Sequence, residues 1–144
     1  MRKNLLLLPV LFSLVLTSCN LFNNYGKKVK INDKLNVYYK GEGVTEDQAK
    51  KLGAFLENNR GENKGDLAAQ IMKEGESYLV KIPLNEEAFN KDKEKFKTLF
   101  WYMQDMISEL VFEGKKTRIV LTDDKLKDKE TIDEITKITV GSMG

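Results

Sequence analysis

Residues 67–84 read Leu67-Ala68-Ala69-Gln70-Ile71-Met72-Lys73-Glu74-Gly75-Glu76-Ser77-Tyr78-Leu79-Val80-Lys81-Ile82-Pro83-Leu84. Two apolar runs flank the polar tetrapeptide Lys73–Glu76, in which Gly75 suits a tight turn. The spacing predicts a β-hairpin with strands over 67–72 and 77–84. Pro83 closes the second strand because it has no N–H to give to a ladder. On the N-terminal side, Thr45 and Gln48 form a capping box, and Val44 can staple onto Ala49. Ala49, Leu52, Phe55 and Leu56 then make one helical stripe. Gly61 follows Asn58-Asn59-Arg60 and suits a left-handed helix end. On the C-terminal side a long helix is expected from about Glu86 or Asn90 to Phe112. Its stripe is Phe96, Phe100, Met103, Ile107 and Leu110, and Glu113-Gly114 stops it.

Leu35–Lys40 alternates and is rich in β-formers, and Thr117–Thr122 does the same, so each reads as a strand. The order is β-α-β-β-α-β. That is the pattern of ferredoxin-like α+β folds: one antiparallel sheet with two helices on one face. Residues 34–144 are expected to form this single domain. The stretch from Asp123 onward is a C-terminal extension, read as loop or a short helical turn over 123–133. Ile135–Val140 is β-branched and could add a fifth strand.

The N-terminus carries a different message. Met1-Arg2-Lys3 is a positive head, and Leu5–Leu16 is an apolar run interrupted only by Pro9 and Ser13. This is the layout of an export signal. The run holds about a dozen residues, well short of the 20 needed to span a bilayer. It ends in Leu16-Thr17-Ser18-Cys19, which resembles the lipobox of bacterial lipoproteins. The resemblance covers residues 1–19 only. It implies removal of residues 1–18, acylation of Cys19, and a lipid-anchored protein on the outer side of the cell membrane or in an outer membrane. Asn20 follows the cysteine where some Gram-negative lipoproteins carry an Asp for inner-membrane retention, which leans toward the outer membrane. Acyl chains bury methylenes at about 0.8 kcal/mol each, so such an anchor is effectively permanent. Residues 19–33, polar and rich in Asn and Lys, read as the lipidated tether.

Composition narrows the function. Loss of Arg2 and Lys3 with the signal takes Lys+Arg from 24 to 22, equal to the 22 Asp+Glu. The mature chain then has no net charge to draw it to nucleic acid or anionic lipid. Cys19 is the only cysteine, so the domain must be stable without a disulfide. There is no histidine. That removes the commonest general base and the commonest ligand for zinc and copper. A non-catalytic protein without cofactor or metal is therefore expected.

Candidate chemistry elsewhere is thin. Gly41-Glu42-Gly43 lacks the third glycine of a phosphate loop. Asp123, Asp124, Asp128 and Glu130 lack the calcium-loop spacing, and Lys125, Lys127 and Lys129 would repel a cation. No acid pair stands out for a carboxylate-based hydrolase; Glu109, on the flank of the long helix and the only acid near its apolar face, reads as the boundary of that face.

Surfaces are more informative. Helices on one sheet face should bury Leu35, Val37, Tyr39, Leu67, Ala69, Ile71, Tyr78, Val80, Ile82, Ile119 and Leu121. Alternation sends Tyr38, Ala68, Gln70, Met72, Leu79, Lys81 and Val120 to the other face. Tyr38, Met72, Leu79 and Val120 make that face apolar enough to be an interface. Three occupants fit it: the chain's own tail through Ile135, Ile138 and Val140, an envelope protein, or a second copy in a homodimer. Trp101 lies about 140° around the long helix from Phe96, with Tyr102 on the flank. A Trp beside Lys97, Gln104, Asp105 and Ser108 is a candidate partner contact. The expectation is an envelope accessory protein that binds another envelope protein through Trp101, Tyr38, Met72, Leu79 and Val120. The alternative is a glycan- or peptide-binding module using Tyr38, Tyr39, Tyr78 and Trp101, with Gln70 as the accompanying amide.

Overall fold

The computed structural model describes residues 24–62 and 65–132. The signal segment, Cys19 and the Ile135–Val140 stretch lie outside the described residues. Six strands, β1 (Lys27–Asn32), β2 (Leu35–Tyr39), β3 (Leu67–Glu74), β4 (Ser77–Pro83), β5 (Thr117–Thr122) and β6 (Asp128–Thr131), form one sheet. Three helices, α1 (Glu46–Asn59), α2 (Glu86–Lys91) and α3 (Lys93–Phe112), connect them.

The sheet order is β1-β2-β3-β4-β5-β6, each strand beside its neighbours in sequence. β2 pairs with β3 in parallel, and β4 pairs with β5 in parallel. The remaining pairs are antiparallel. This corrects the ferredoxin-like expectation. In the split arrangement a strand of one βαβ unit enters between the two strands of the other, and every pair becomes antiparallel. Here both edges of β2 are taken by its sequence neighbours, β1 and β3, so no slot remains. The β-α-β-β-α-β order within residues 35–122 stands, but it is wired as two adjacent βαβ units joined by the β3–β4 hairpin. Alternation could not tell the two wirings apart, because parallel and antiparallel neighbours impose the same side-chain period.

The edge strands come from stretches read as tether and loop. β1 occupies Lys27–Asn32, inside the expected 19–33 tether, and turns into β2 where the Lys34 N–H donates to Asn32 Oδ1 at 2.9 Å. β6 occupies part of the 123–133 stretch. Its turn is built on Asp123, whose Oδ1 accepts from the N–H groups of Lys125 (2.9 Å) and Lys127 (2.8 Å). Leu126 sits between them in the left-handed region at φ 61°.

The helix signals read true locally. Thr45 caps α1 with both halves of the capping box present, and Gly61 follows α1 at φ 79°. The expected long helix is broken. Asp92, at φ −153° and ψ 73°, ends α2, and its side chain accepts from the Lys95 N–H to cap α3. One residue thus closes one helix and opens the next.

All large inward side chains of the sheet join one core under α1 and α3. Leu35, Val37, Ala69, Ile71, Val80, Ile119 and Leu121 are fully buried, with Leu52 and Ala49 of α1 and Ile107 of α3. Each such Leu, Val or Ile contributes about 1.5–3 kcal/mol relative to exposure. Tyr78 ties the layers together. Its ring stacks on Phe112 at 4.1 Å, its hydroxyl donates to the Gly43 carbonyl at 3.1 Å, and it accepts from Gln48 Nε2 at 3.3 Å. These contacts bring the end of α3 to the start of α1.

Candidate functional site

The sheet face away from the helices carries four of the five candidate partner-binding residues. Tyr38, Met72 and Leu79 are half-buried, and Val120 is only 4% exposed. The chain's own turns roof part of this face. The Tyr25 ring meets Tyr38 edge-on at 5.4 Å between centroids. The Tyr25 carbonyl accepts from Gln70 Nε2 at 2.8 Å, and its hydroxyl donates to the Lys125 carbonyl at 3.0 Å. Leu126, next to Lys125, is buried outside the helix-side core. So Tyr25 runs from β2 across to the β5–β6 turn. Lys81 on the same face pairs with Asp128 at 2.9 Å. The tail residues Ile135, Ile138 and Val140, expected as a cover, lie outside the described residues.

The fifth candidate, Trp101, is half-buried and packed against the core. Its flank of α3 faces the end of the sheet. Lys97 pairs with Glu130 at 3.2 Å, Gln104 Oε1 accepts from the Ile119 N–H at 2.8 Å, and Ser108 Oγ donates to the Lys115 carbonyl at 2.6 Å. The outward Trp expected from the sequence is thus partly sheltered by its own fold. Its ring touches Tyr102 edge-on at 5.0 Å.

The exposed apolar surface lies on the opposite flank of α3. Leu99 is 50% exposed, Tyr102 49%, Met106 43% and Leu110 63%. Half-buried Met103 borders them. Leu110 had been expected in the buried stripe; Val111, with Gln104 and Ile107, takes the inner face instead. The signal was present in the sequence. α3 has more apolar positions than one buried face can take, and Leu99, Met103, Met106 and Leu110 repeat at steps of four, three and four. Met103 and Leu110 also fit the spacing of the inner stripe, which hides the second line in the sequence.

The aromatics that could have stacked on a sugar are not gathered. Tyr78 is in the core, Tyr39 packs on the helix side, Tyr38 lies beneath Tyr25, and Trp101 is on α3. Among the described residues no group of three or more Cys, Asp or Glu is placed to hold a metal ion. Asp123 titrates below the ordinary carboxylate value of 3.8. The Lys127 amide is the main cause, partial desolvation opposes it, and the Lys125 amide and the Lys129 and Lys127 charges assist. This is a turn carboxylate at structural work.

Comparison with known proteins places the domain. A model of the AF_1994_N family, described as a family N-terminal domain, matches residues 28–134, about three quarters of the chain. The chain belongs to the AF_1994_N family. The matched span opens inside β1 and passes the end of β6, so both edge strands belong to the AF_1994_N domain as much as the β-α-β-β-α-β frame does. The outer line of α3 lies within it too. No curated protein and no solved structure matches this chain. Among the described residues no helix is long and apolar enough to cross a membrane.

Proposed function

We propose that this chain is a lipid-anchored accessory protein of the cell envelope that binds a protein partner through the outer line of α3. One observation carries the binding half of the reading: Leu99, Tyr102, Met106 and Leu110 share one exposed flank of a 20-residue helix. A contiguous apolar line of this kind, where the other large aliphatics among the described residues are buried or half-buried, marks a contact surface. The occupant lies against a helix face, and recognition runs through anchors three and four residues apart.

The anchoring half rests on the lipobox resemblance at Leu16-Thr17-Ser18-Cys19. Tyr25, six positions after Cys19, is already fixed to the sheet by its three contacts. The covalent reach from the acylated residue to the domain is then at most about 20 Å. A domain so close to its membrane meets partners in the same or the facing envelope layer, on the cell membrane or outer membrane.

The test is made in living cells on the full chain. A photo-crosslinking residue replaces Met106, with one at exposed Lys50 of α1 as control, and Cys19→Ala is fractionated in parallel. The reading expects a discrete protein adduct from position 106, none from position 50, and loss of the Cys19→Ala variant from membranes. An uncrosslinked position 106 removes the binding half. A Cys19→Ala variant that stays in the membrane fraction removes the anchor.

A further inference from the structure

The geometry points to a second copy of this chain as the partner on α3: we propose an antiparallel homodimer whose two-fold axis passes by Tyr102. This rests on reading the outer line of α3 as an interface, and it names the occupant.

The first observation is the repeat. Leu99, Met103, Met106 and Leu110 alternate at four, three and four residues, the seam spacing of two helices packed side by side. Leu99, Met106 and Leu110 are exposed, and Met103 is half-buried. The seam is therefore open along about 16 Å of helix, counted from Leu99 to Leu110.

The second observation is the order of charge. The first two turns of α3 carry Lys93, Lys95 and Lys97 against Glu94, with Asp92 at the cap. The last two turns carry Asp105 and Glu109, with Glu113 at the cap and no basic residue. A helix on its own favours the reverse, acids at the N-terminus and bases at the C-terminus. The observed order, basic at the start and acidic at the end, is complementary to the same helix running the other way.

The third observation is position. Lys95, Tyr102 and Glu109 are seven residues apart, so they line one flank beside the seam. Lys95 and Glu109 are equidistant from Tyr102. A two-fold axis at Tyr102 therefore sets Lys95 of each copy opposite Glu109 of the other, twice per dimer. A parallel pair would set Lys on Lys and Glu on Glu. Neither side chain has an ion pair among the described residues, whereas Lys97 is already committed to Glu130. The same axis sets Leu99 of each copy beside Met106 of the other and Met103 near its own mate, while Leu110 lies level with Glu94 of the other copy; the contact is isologous, as a two-fold dimer requires.

The experiment uses the full-length chain purified in detergent, with its mass measured by light scattering over a concentration series. The wild type is expected at twice the chain mass. Met106→Glu is expected to give monomer. Lys95→Glu or Glu109→Lys alone turns two attractions into two repulsions and is expected to weaken the dimer about tenfold. The double variant Lys95→Glu/Glu109→Lys is expected to restore it, which a folding defect could not do. A dimer indifferent to all four variants overturns the proposal, because the contact would lie elsewhere. A monomer overturns it as well. The cellular crosslink at position 106 then separates the two readings: an adduct with a different protein leaves the partner-binding function standing, and no adduct removes both.

Discussion

Gly53 of α1 meets Ile31 of β1 with no room for a methyl group between them. A Cβ placed on Gly53 would overlap Ile31 Cδ1 and Cγ1. This contact, with Val29 also packed on the core, seats the edge strand against the helix layer. Gly53→Ala improves helix propensity by about 1 kcal/mol, but overpacking costs about 1–3 kcal/mol. The net expectation is a less stable protein by urea denaturation. Ile31→Ala removes both clashing carbons, so in the double variant the Gly53→Ala change should become neutral or favourable. Additive effects of the two substitutions would show that the contact yields without cost.

That contact also shows where sequence reasoning stopped. The inward set from Leu35 to Leu121 and the Thr45 cap were legible because each rests on a local period or a local hydrogen bond. The strand holding Ile31 was not. Lys27, Lys28 and Lys30 alternate with Val29 and Ile31, but three lysines in five residues resemble a solvated tether when no partner strand is in view. β6 failed for the same reason, Asp128–Thr131 being almost wholly charged. Edge strands bury little, so their sequences keep the charge of the solvent they face. Once both edges were missed, nothing excluded the split wiring. On α3 the error ran the other way. Two apolar lines on one helix share helical spacing and read as one stripe, so Leu110 looks inward and Trp101 looks like the contact.

Gln104 is a buried amide that completes the sheet from a helix. β6 is too short to satisfy all of β5, and Gln104 Oε1 accepts the Ile119 N–H at 2.8 Å instead. Gln104→Leu would keep the volume and leave that donor unpaired in a dry place. The expected loss is about 1–3 kcal/mol. Hydrogen exchange at the Ile119 amide reads the contact directly. Gln104→Leu should accelerate it, while Gln104→Glu keeps an acceptor and should protect the amide better than Gln104→Leu. Equal exchange in all three proteins would mean that the side chain is only filling space.

Tyr78 invites a dissection of its ring from its hydroxyl. The stack on Phe112 and the two hydrogen bonds to Gly43 and Gln48 serve the same junction. Tyr78→Phe keeps the stack and strands the Gly43 carbonyl, an expected cost of about 1 kcal/mol. Tyr78→Ala loses both and should cost about 3–5 kcal/mol. Chemical denaturation distinguishes them. If Tyr78→Phe cost as much as Tyr78→Ala, the hydroxyl would dominate the junction and the stack would contribute little.

Asp123 links pH to the β5–β6 turn. Its carboxylate takes the Lys127 and Lys125 amides, which favours the ionised form and lowers the folded pKa below 3.8. The sign follows from linkage: the turn is fully supported above the ordinary carboxylate value and loses that support as pH falls through the lower, folded value. The carboxyl carbon of Asp123 in an NMR titration should therefore have its midpoint below 3.8. The Lys125 and Lys127 amide shifts should move with the same midpoint. Asp123→Asn keeps an acceptor but not the charge, so both amides should lose their acid transition. Because the Lys125 carbonyl holds the Tyr25 hydroxyl, the Tyr25 ring resonances should broaden or shift over the same acid range. A Tyr25 signal that ignores the Asp123 titration would show that the roof over Tyr38 is held by the Gln70 contact alone.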